Sequence, residues 1–334
     1  MKESDRELIV RAAAYLRDGE LVAFPTETVY GLGADASNPD ALRQLYAAKG
    51  RPSDHPVIVH LADYEQVHQW AQDVPRFLEN LAKQFWPGPL TVVLRRAPHV
   101  LDLVTGGQDT VALRIPSHPI ALSLLREFGR GLAAPSANRF GRLSPTRADD
   151  VRRDLGDLVS MVLDGGPCEV GIESTIVDLS SGGSATILRP GMILGAEIER
   201  IAGMPVQFKE FPGPPKSDSI RVPGALPSHY APLTPMMLLP SSRLIAGIHE
   251  LLSRPSQRLA VLAFQPNSFN QPGVAWNQAP LAAGDYARQL YFYLRRLDAL
   301  EADWIIVEEP PVEAAWSGIA DRLHRAATKN RATL

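Results

Sequence analysis

The 334 residues exceed one average domain, and a hydrophobic content of 45% supplies enough apolar surface for two buried cores. A formal net charge of -3 lacks the bulk positive charge on which non-specific nucleic-acid binding rests, since that affinity comes mainly from phosphate neutralisation. One cysteine, Cys168, excludes both a disulfide framework within the chain and a multi-cysteine zinc site. The first residues, Met1 to Asp5, are charged instead of apolar. No apolar run approaches the roughly 18 residues needed to cross a bilayer, so a cytoplasmic protein without membrane contact is expected. A helix is predicted over 5–17, with Leu8, Ile9, Ala12, Ala13 and Leu16 on one face. Apolar strand candidates follow at 21–24, 57–61, 90–94, 111–115, 159–163 and 175–179, separated by helical patterns at 40–48, 74–86 and 119–128. This alternation reads as α/β with a large sheet. From about 206 to 235 prolines interleave with Gly, Ser and Lys, so a linker without regular structure is expected. Beyond it, strand candidates at 236–239, 259–264 and 304–307 flank helical patterns at 243–253, 284–300 and 317–328. The expected organisation is a first domain over 1–205, a Pro-rich linker over 206–235 and a smaller α/β, Rossmann-like domain over 236–334.

Five clusters carry residues suited to chemistry. PTETVYGLG at 25–33 follows a strand candidate and reads as a turn that faces a ligand. Gly31, Gly33 and Ala36 also match the spacing of a dinucleotide-binding fingerprint, but they stand six residues beyond the strand. The next helix begins near Asn38-Pro39, too late to aim its dipole at a pyrophosphate. In KGRPSDHPVIVH at 49–60, Lys49 and Arg51 close a helical pattern, either as cations for a polyphosphate or as a basic helix end favoured by the dipole. His60, inside an apolar strand, suits a core histidine as well as a ligand. In VALRIPSHP at 111–119, Arg114 interrupts a buried-looking strand and requires an anion, supplied by a protein carboxylate or by a ligand. APSANRFGRLSPT at 134–146 is a small-residue loop with Ser136, Asn138 and Ser144, whose hydroxyls and amides can reach phosphate oxygens or simply form a turn. In GIESTIVDL and ILRPG, Ser174 precedes one strand and Arg189 ends the next, where α/β sheets place ligands.

PTETVYGLG, KGRP with HPVIVH, FWPGPLT at 85–91, ALRIP, APSAN and ESTIVD, in this order, resemble the threonylcarbamoyl-adenylate synthase family with its YrdC-type fold. The match spans roughly 5–205, and VPGALPSHYAP at 222–232 with the domain after it resembles the longer branch of that family. The resemblance implies a twisted, open mixed sheet with flanking helices and a positively charged concave site. It implies an enzyme, a nucleotidyltransferase that makes threonylcarbamoyl-adenylate from L-threonine, bicarbonate or CO2, and ATP, for threonylcarbamoyladenosine at tRNA position 37. By similarity, Thr28, His60, Arg114, Ala134 and Ser174 would surround threonine. Arg51, His55, Thr110, Ser136, Ser144 and Arg189 would hold ATP, Lys49 and Arg51 would clamp the reacting phosphates, and Tyr230 would close over the nucleotide. His55 stands where many members have asparagine. Mg2+ would arrive with ATP, and no protein ligand for a metal is named. The implied partners are downstream threonylcarbamoyl-transferase proteins, with tRNA contact indirect or weak. Two alternatives share the fold, an RNA-binding module and a carbamoyl-transfer maturation domain. The latter is ordinarily fused to zinc fingers, which a one-cysteine chain lacks.

Overall fold

The computed structural model describes residues 3–181, 183–208, 220–224, 226, 228–267, 269 and 273–328. The chain divides into two compact units, Met1–Phe140 with Ser144–Ala225, and Gly141–Leu143 with Leu226–Leu334.

The first unit is built on one mixed sheet. Its strands are β1 (Val22–Phe24), β2 (Gly31–Asp35), β3 (Ile58–His60), β4 (Ala71–Gln72), β5 (Leu90–Arg96), β6 (Thr110–Arg114), β7 (Leu132–Ala133), β8 (Met161–Val162), β9 (Thr175–Asp178), β10 (Ala185–Arg189) and β11 (Val206–Phe208). The spatial order is β11-β10-β9-β5-β6-β3-β7-β2-β1-β8, with β4 added to β5. Alternation along the central strands sorts their side chains onto two faces. Val57, Val59 and Leu61, Val92 and Leu94, Val111 and Leu113, and Val177 and Leu179 enter the main core. The intervening Ile58, Val93, Ala112 and Ile176 form a smaller apolar group on the other face, with Leu188 and Val222. The residues of this second parity include His60, Thr91, Thr110, Arg114 and Ser174, so the period of a strand delivers the site residues to one side. Toward β1 and β7 that face is covered by the helices Glu3–Arg17 and Pro119–Phe128, through Ala12, Ala13, Leu16, Ala121, Leu124, Leu125 and Phe128.

The helix Pro39–Lys49 sets the basic cluster. Asn38 caps it by accepting from Asp40 N at 2.9 Å and Ala41 N at 3.3 Å, Pro39 occupies its first turn, and Gly50 ends it in the left-handed region. Lys49 therefore falls on the last turn and Arg51 just beyond the stop.

In the second unit, β12 (Met236–Leu239), β13 (Leu259–Ala263), β14 (Val274–Gln278) and β15 (Trp304–Glu308) form an all-parallel sheet in the order β12-β15-β13-β14. The unbroken apolar runs LAVLA and IIV suit strands covered on both faces. The helix Ala283–Asp298 buries Tyr286, Leu290, Tyr291, Leu294 and Leu297 at helical spacing.

Several elements differ from the sequence expectation. The second half of PTETVYGLG is a strand, β2, so its glycines cannot form a nucleotide-binding turn. A Cβ on Gly33 would lie 2.9 Å from Cε1 of Phe24, so this strand needs glycine to pack against its neighbour. β7 and β14 were not expected, and the candidate at 159–163 shortens to the two residues of β8. The helix expected at 74–86 spans Leu78–Phe85. The proline-rich stretch opens with β11, which pairs in parallel with β10, and 209–219 lies outside the described residues.

Candidate active site

At one end of the site the turn before β2 is preformed by threonine. Thr26 Oγ1 donates to Val29 O at 2.6 Å and accepts from the N–H groups of Thr28 and Val29 at 3.2 Å each; its oxygen also stands 2.9 Å from Thr28 Oγ1. This turn aims Glu27 inward. The Arg114 Nη2 donates to Glu27 Oε1 at 2.7 Å with both side chains 5% exposed, and Ser117 N donates to Glu27 Oε2 at 3.0 Å. The anion that buried Arg114 requires is thus a protein carboxylate. Arg114 Nε also reaches Gly88 O at 3.4 Å, and its Nη1 carries no hydrogen bond to a described residue.

His60 is the register partner of Arg114 across the parallel β3–β6 pair. Burial, then the charge of Arg114, lowers its imidazole pKa to about 3, so it is neutral near pH 7. Its Nδ1 is buried and has no hydrogen-bond partner among the described residues. The depressed value means that the unfolded chain binds this proton first as pH falls from about 6.5 towards 3, so stability declines with acid across that window. Replacing His60 by Gln is expected to flatten this decline, by at most about 1.4 kcal/mol per pH unit. Chemical denaturation at pH 7.5, 6 and 5 measures it, and parallel curves for the two proteins would refute it.

Ala134 lies beside this group, its N–H donating to Ile58 O at 2.9 Å. Ser174 Oγ stands 2.7 Å from Thr91 Oγ1, and Arg189 grips the same residue, Nη2 donating to its Oγ at 3.0 Å and to its carbonyl at 2.9 Å. Arg189 Nη1 donates onward to Pro223 O at 2.9 Å. The expected threonine and nucleotide residues therefore meet in one network at Ser174 and Arg189.

Lys49 is buried, and its ammonium donates to the carbonyls of Ser136 at 2.5 Å and Asn138 at 2.6 Å. Burial first, then the charge of Arg51, pushes its pKa well below the ordinary lysine value. The Arg51 Nη2 donates to Pro56 O at 2.8 Å, and the guanidinium carbon lies 5.5 Å from the centre of the Phe140 ring. His55 meets the same ring edge-on at 5.4 Å, and burial and Arg51 lower its pKa. Ser144 Oγ donates to Glu173 Oε1 at 2.5 Å, both residues being buried. Thr110 opens β6, opposite Arg95. Among the residues just described, the guanidinium groups of Arg51, Arg114 and Arg189 and the carboxylates of Glu27 and Glu173 are buried, three cations against two anions even without the Lys49 proton. That excess suits a polyphosphate.

Tyr230 belongs to the second unit. It is buried with a positive φ of 58°, its ring 6.0 Å from Tyr291 and 4.2 Å from His229, with the Arg322 guanidinium 5.5 Å away. Glu27, Thr91, Glu173 and Phe140 join the first unit's group without a role expected from sequence. For Glu27 a signal existed, because a carboxylate inside a ligand-facing turn is a ready counter-ion for an arginine interrupting an apolar strand. Thr91, Glu173 and Phe140 carried no such signal. Among the described residues no helix is long and apolar enough to cross a membrane.

Residues 14–191 match the family model described as "Telomere recombination" (Sua5_yciO_yrdC), and residues 193–328 match that of "Threonylcarbamoyl-AMP synthase, C-terminal domain". The threonylcarbamoyl-AMP synthase of Bacillus subtilis is 40% identical over 96% of this chain and 92% of its own length; that of Pyrococcus abyssi is 37% identical over 94% and 92%. The crystal structure of P. abyssi Sua5 complexed with L-threonine superposes with a TM-score of 0.88 at 36% identity, over 96% of this chain and 94% of the other. The chain belongs to the threonylcarbamoyl-AMP synthase family, in the form that carries the C-terminal domain.

Proposed function

We propose that this chain condenses L-threonine, bicarbonate-derived CO2 and ATP into threonylcarbamoyl-AMP and pyrophosphate, with the first unit supplying the chemistry. The observation that carries the reading is the likeness, over nearly the whole chain, to a Sua5 structure complexed with L-threonine. The site supports it independently, because buried Arg114 has Nη1 available for a carboxylate beside a neutral, unpartnered His60 nitrogen.

Threonine would lie among Thr28, His60, Arg114, Ala134 and Ser174, its carboxylate on Arg114 and a polar group on His60 Nδ1. The neutral amine attacks CO2, forming the carbamate N–C bond as the nitrogen gives up one proton to solvent. A carbamate oxygen then attacks the α-phosphorus of ATP, the bond from that phosphorus to the β-bridging oxygen breaks, and pyrophosphate departs with the electron pair. No protein nucleophile is required. Arg51, His55, Thr110, Ser136, Ser144 and Arg189 would hold the nucleotide, and the protein contributes position and positive potential where phosphoryl charge develops. Lys49 acts by fixing the carbonyl backbone of 136–138. Among the described residues no three His, Cys, Asp or Glu side chains are grouped to hold a metal ion, and Glu27 and Glu173 each have a protein partner. Mg2+ would arrive bound to the triphosphate, where it would neutralise phosphate charge. The product would then serve a transferase acting on tRNA.

The test is pyrophosphate release by the purified protein with Mg2+, ATP and bicarbonate. L-threonine is expected to support release at least tenfold above L-serine, L-valine or no amino acid. Equal release with all four would overturn the reading.

A further inference from the structure

Residues 220–224 form a short strap on the sheet face that carries the site, and its attachment is specific. Arg221 N donates to Gln108 Oε1 at 2.7 Å while Gln108 Nε2 donates to Arg221 O at 3.1 Å, so one carboxamide satisfies both main-chain groups of a single residue. Arg221 Nη2 adds a bond to Gly106 O at 2.6 Å. Two residues on, Pro223 O accepts from Arg189. Val222, between these anchors, and Ile220, just before them, pack on Ile58, Val93, Ala112, Ile176 and Leu188, the apolar floor of the same face.

The Gln108 anchor lies in a loop that is itself fixed. Gly106 has a φ of 61°, and a Cβ there would come within 2.3 Å of Asp54 O, so the 105–108 loop lies directly against the main chain that leads into His55. Gln108 is two residues before Thr110, and Arg221 is close enough to His55 for its charge to act on that imidazole. One side chain thus ties the strap to the segments carrying two of the proposed nucleotide contacts, while Arg189 ties its other end to Ser174.

We infer that Gln108 is a positioning residue for the nucleotide: by latching the 220–224 strap to the 105–108 loop it sets how tightly ATP is held and how long the adenylate is retained. The inference rests on the reading of the site given above. Glutamine is suited because it both accepts and donates; glutamate keeps only the acceptor for Arg221 N, and leucine keeps neither. Two ordinary hydrogen bonds correspond to roughly 10- to 30-fold in the closing equilibrium of the strap.

Two measurements on the full chain test this. The first is substrate-free: the rate of tryptic cleavage after Arg221, followed by mass spectrometry, is expected to rise about tenfold in Gln108→Leu and less in Gln108→Glu. Cleavage at the wild-type rate in both variants would end the latch. The second is kinetic: KM for ATP is expected to rise about tenfold in Gln108→Leu, with KM for threonine changed less than twofold and partial recovery in Gln108→Glu. Faster cleavage with unaltered ATP kinetics, or equal losses for both substrates, would overturn the positioning role. If wild type releases no pyrophosphate, the functional reading fails, and the cleavage rates still decide the latch.

Discussion

Arg114→Ala is expected to raise the threonine concentration for half-maximal pyrophosphate release tenfold or more and to lower stability by about 3–5 kcal/mol. The first effect follows from loss of a charge-assisted pair with the substrate carboxylate, worth about 1.5–3 kcal/mol. The second follows from Glu27, which would remain buried with its guanidinium partner gone, and removing one member of a buried pair costs in that range. The two effects separate in the double variant. Glu27→Gln in the Arg114→Ala background removes the stranded charge, so stability recovers while the threonine requirement stays high. Denaturant unfolding and threonine titration of wild type, Arg114→Ala and the double variant measure this. An unchanged threonine requirement in Arg114→Ala would confine Arg114 to a structural pair with Glu27.

Lys49→Met is expected to behave in the opposite way, losing about 100-fold in kcat/KM for ATP while stability stays within about 2 kcal/mol of wild type. Burying the ammonium is costly, as its lowered pKa records, and methionine relieves that cost while leaving two carbonyls without their donor. These contributions oppose each other in stability. They do not in catalysis, because the 136–138 backbone loses the donor that positions it, and small displacements of a positioning group cost about two orders of magnitude. Thermal unfolding alongside ATP titration would test it. A destabilised variant with unimpaired turnover per folded molecule would show that the lysine serves only the fold.

Much of the fold was legible because local rules and tertiary structure agree. The stop at Lys49-Gly50 after a capped Asn38-Pro39 start, the helix at 119–128 and the apolar runs of β5, β6, β9, β13 and β15 all carry their own signals. β2 did not, because glycine disfavours a strand in isolation, and at Gly33 it is the Phe24 ring and the Val22 carbonyl beside it that leave no room for a side chain. β7, β8 and β11 span only two or three residues each, too short for a period to register, and exist because neighbouring strands offer unpaired edges.

The site divides along the same line. The sequence by itself determined which residue types are available: an arginine that interrupts an apolar strand and must meet an anion, two cations at a helix end, and hydroxyls in small-residue loops. Strand alternation fixed the side of its own strand on which each of His60, Arg114 and Ser174 stands, and the pairing of the strands brought those sides to one face. Only the tertiary structure decided that Arg114 meets Glu27 across 87 residues, that Lys49 serves the carbonyls of 136 and 138, and that Arg189 joins Ser174 to the strap held by Gln108. Each is a pairing of groups distant in sequence, chosen by burial: a charge or main-chain polar group removed from water must find a partner, and which partner stands within reach is set by the folded chain.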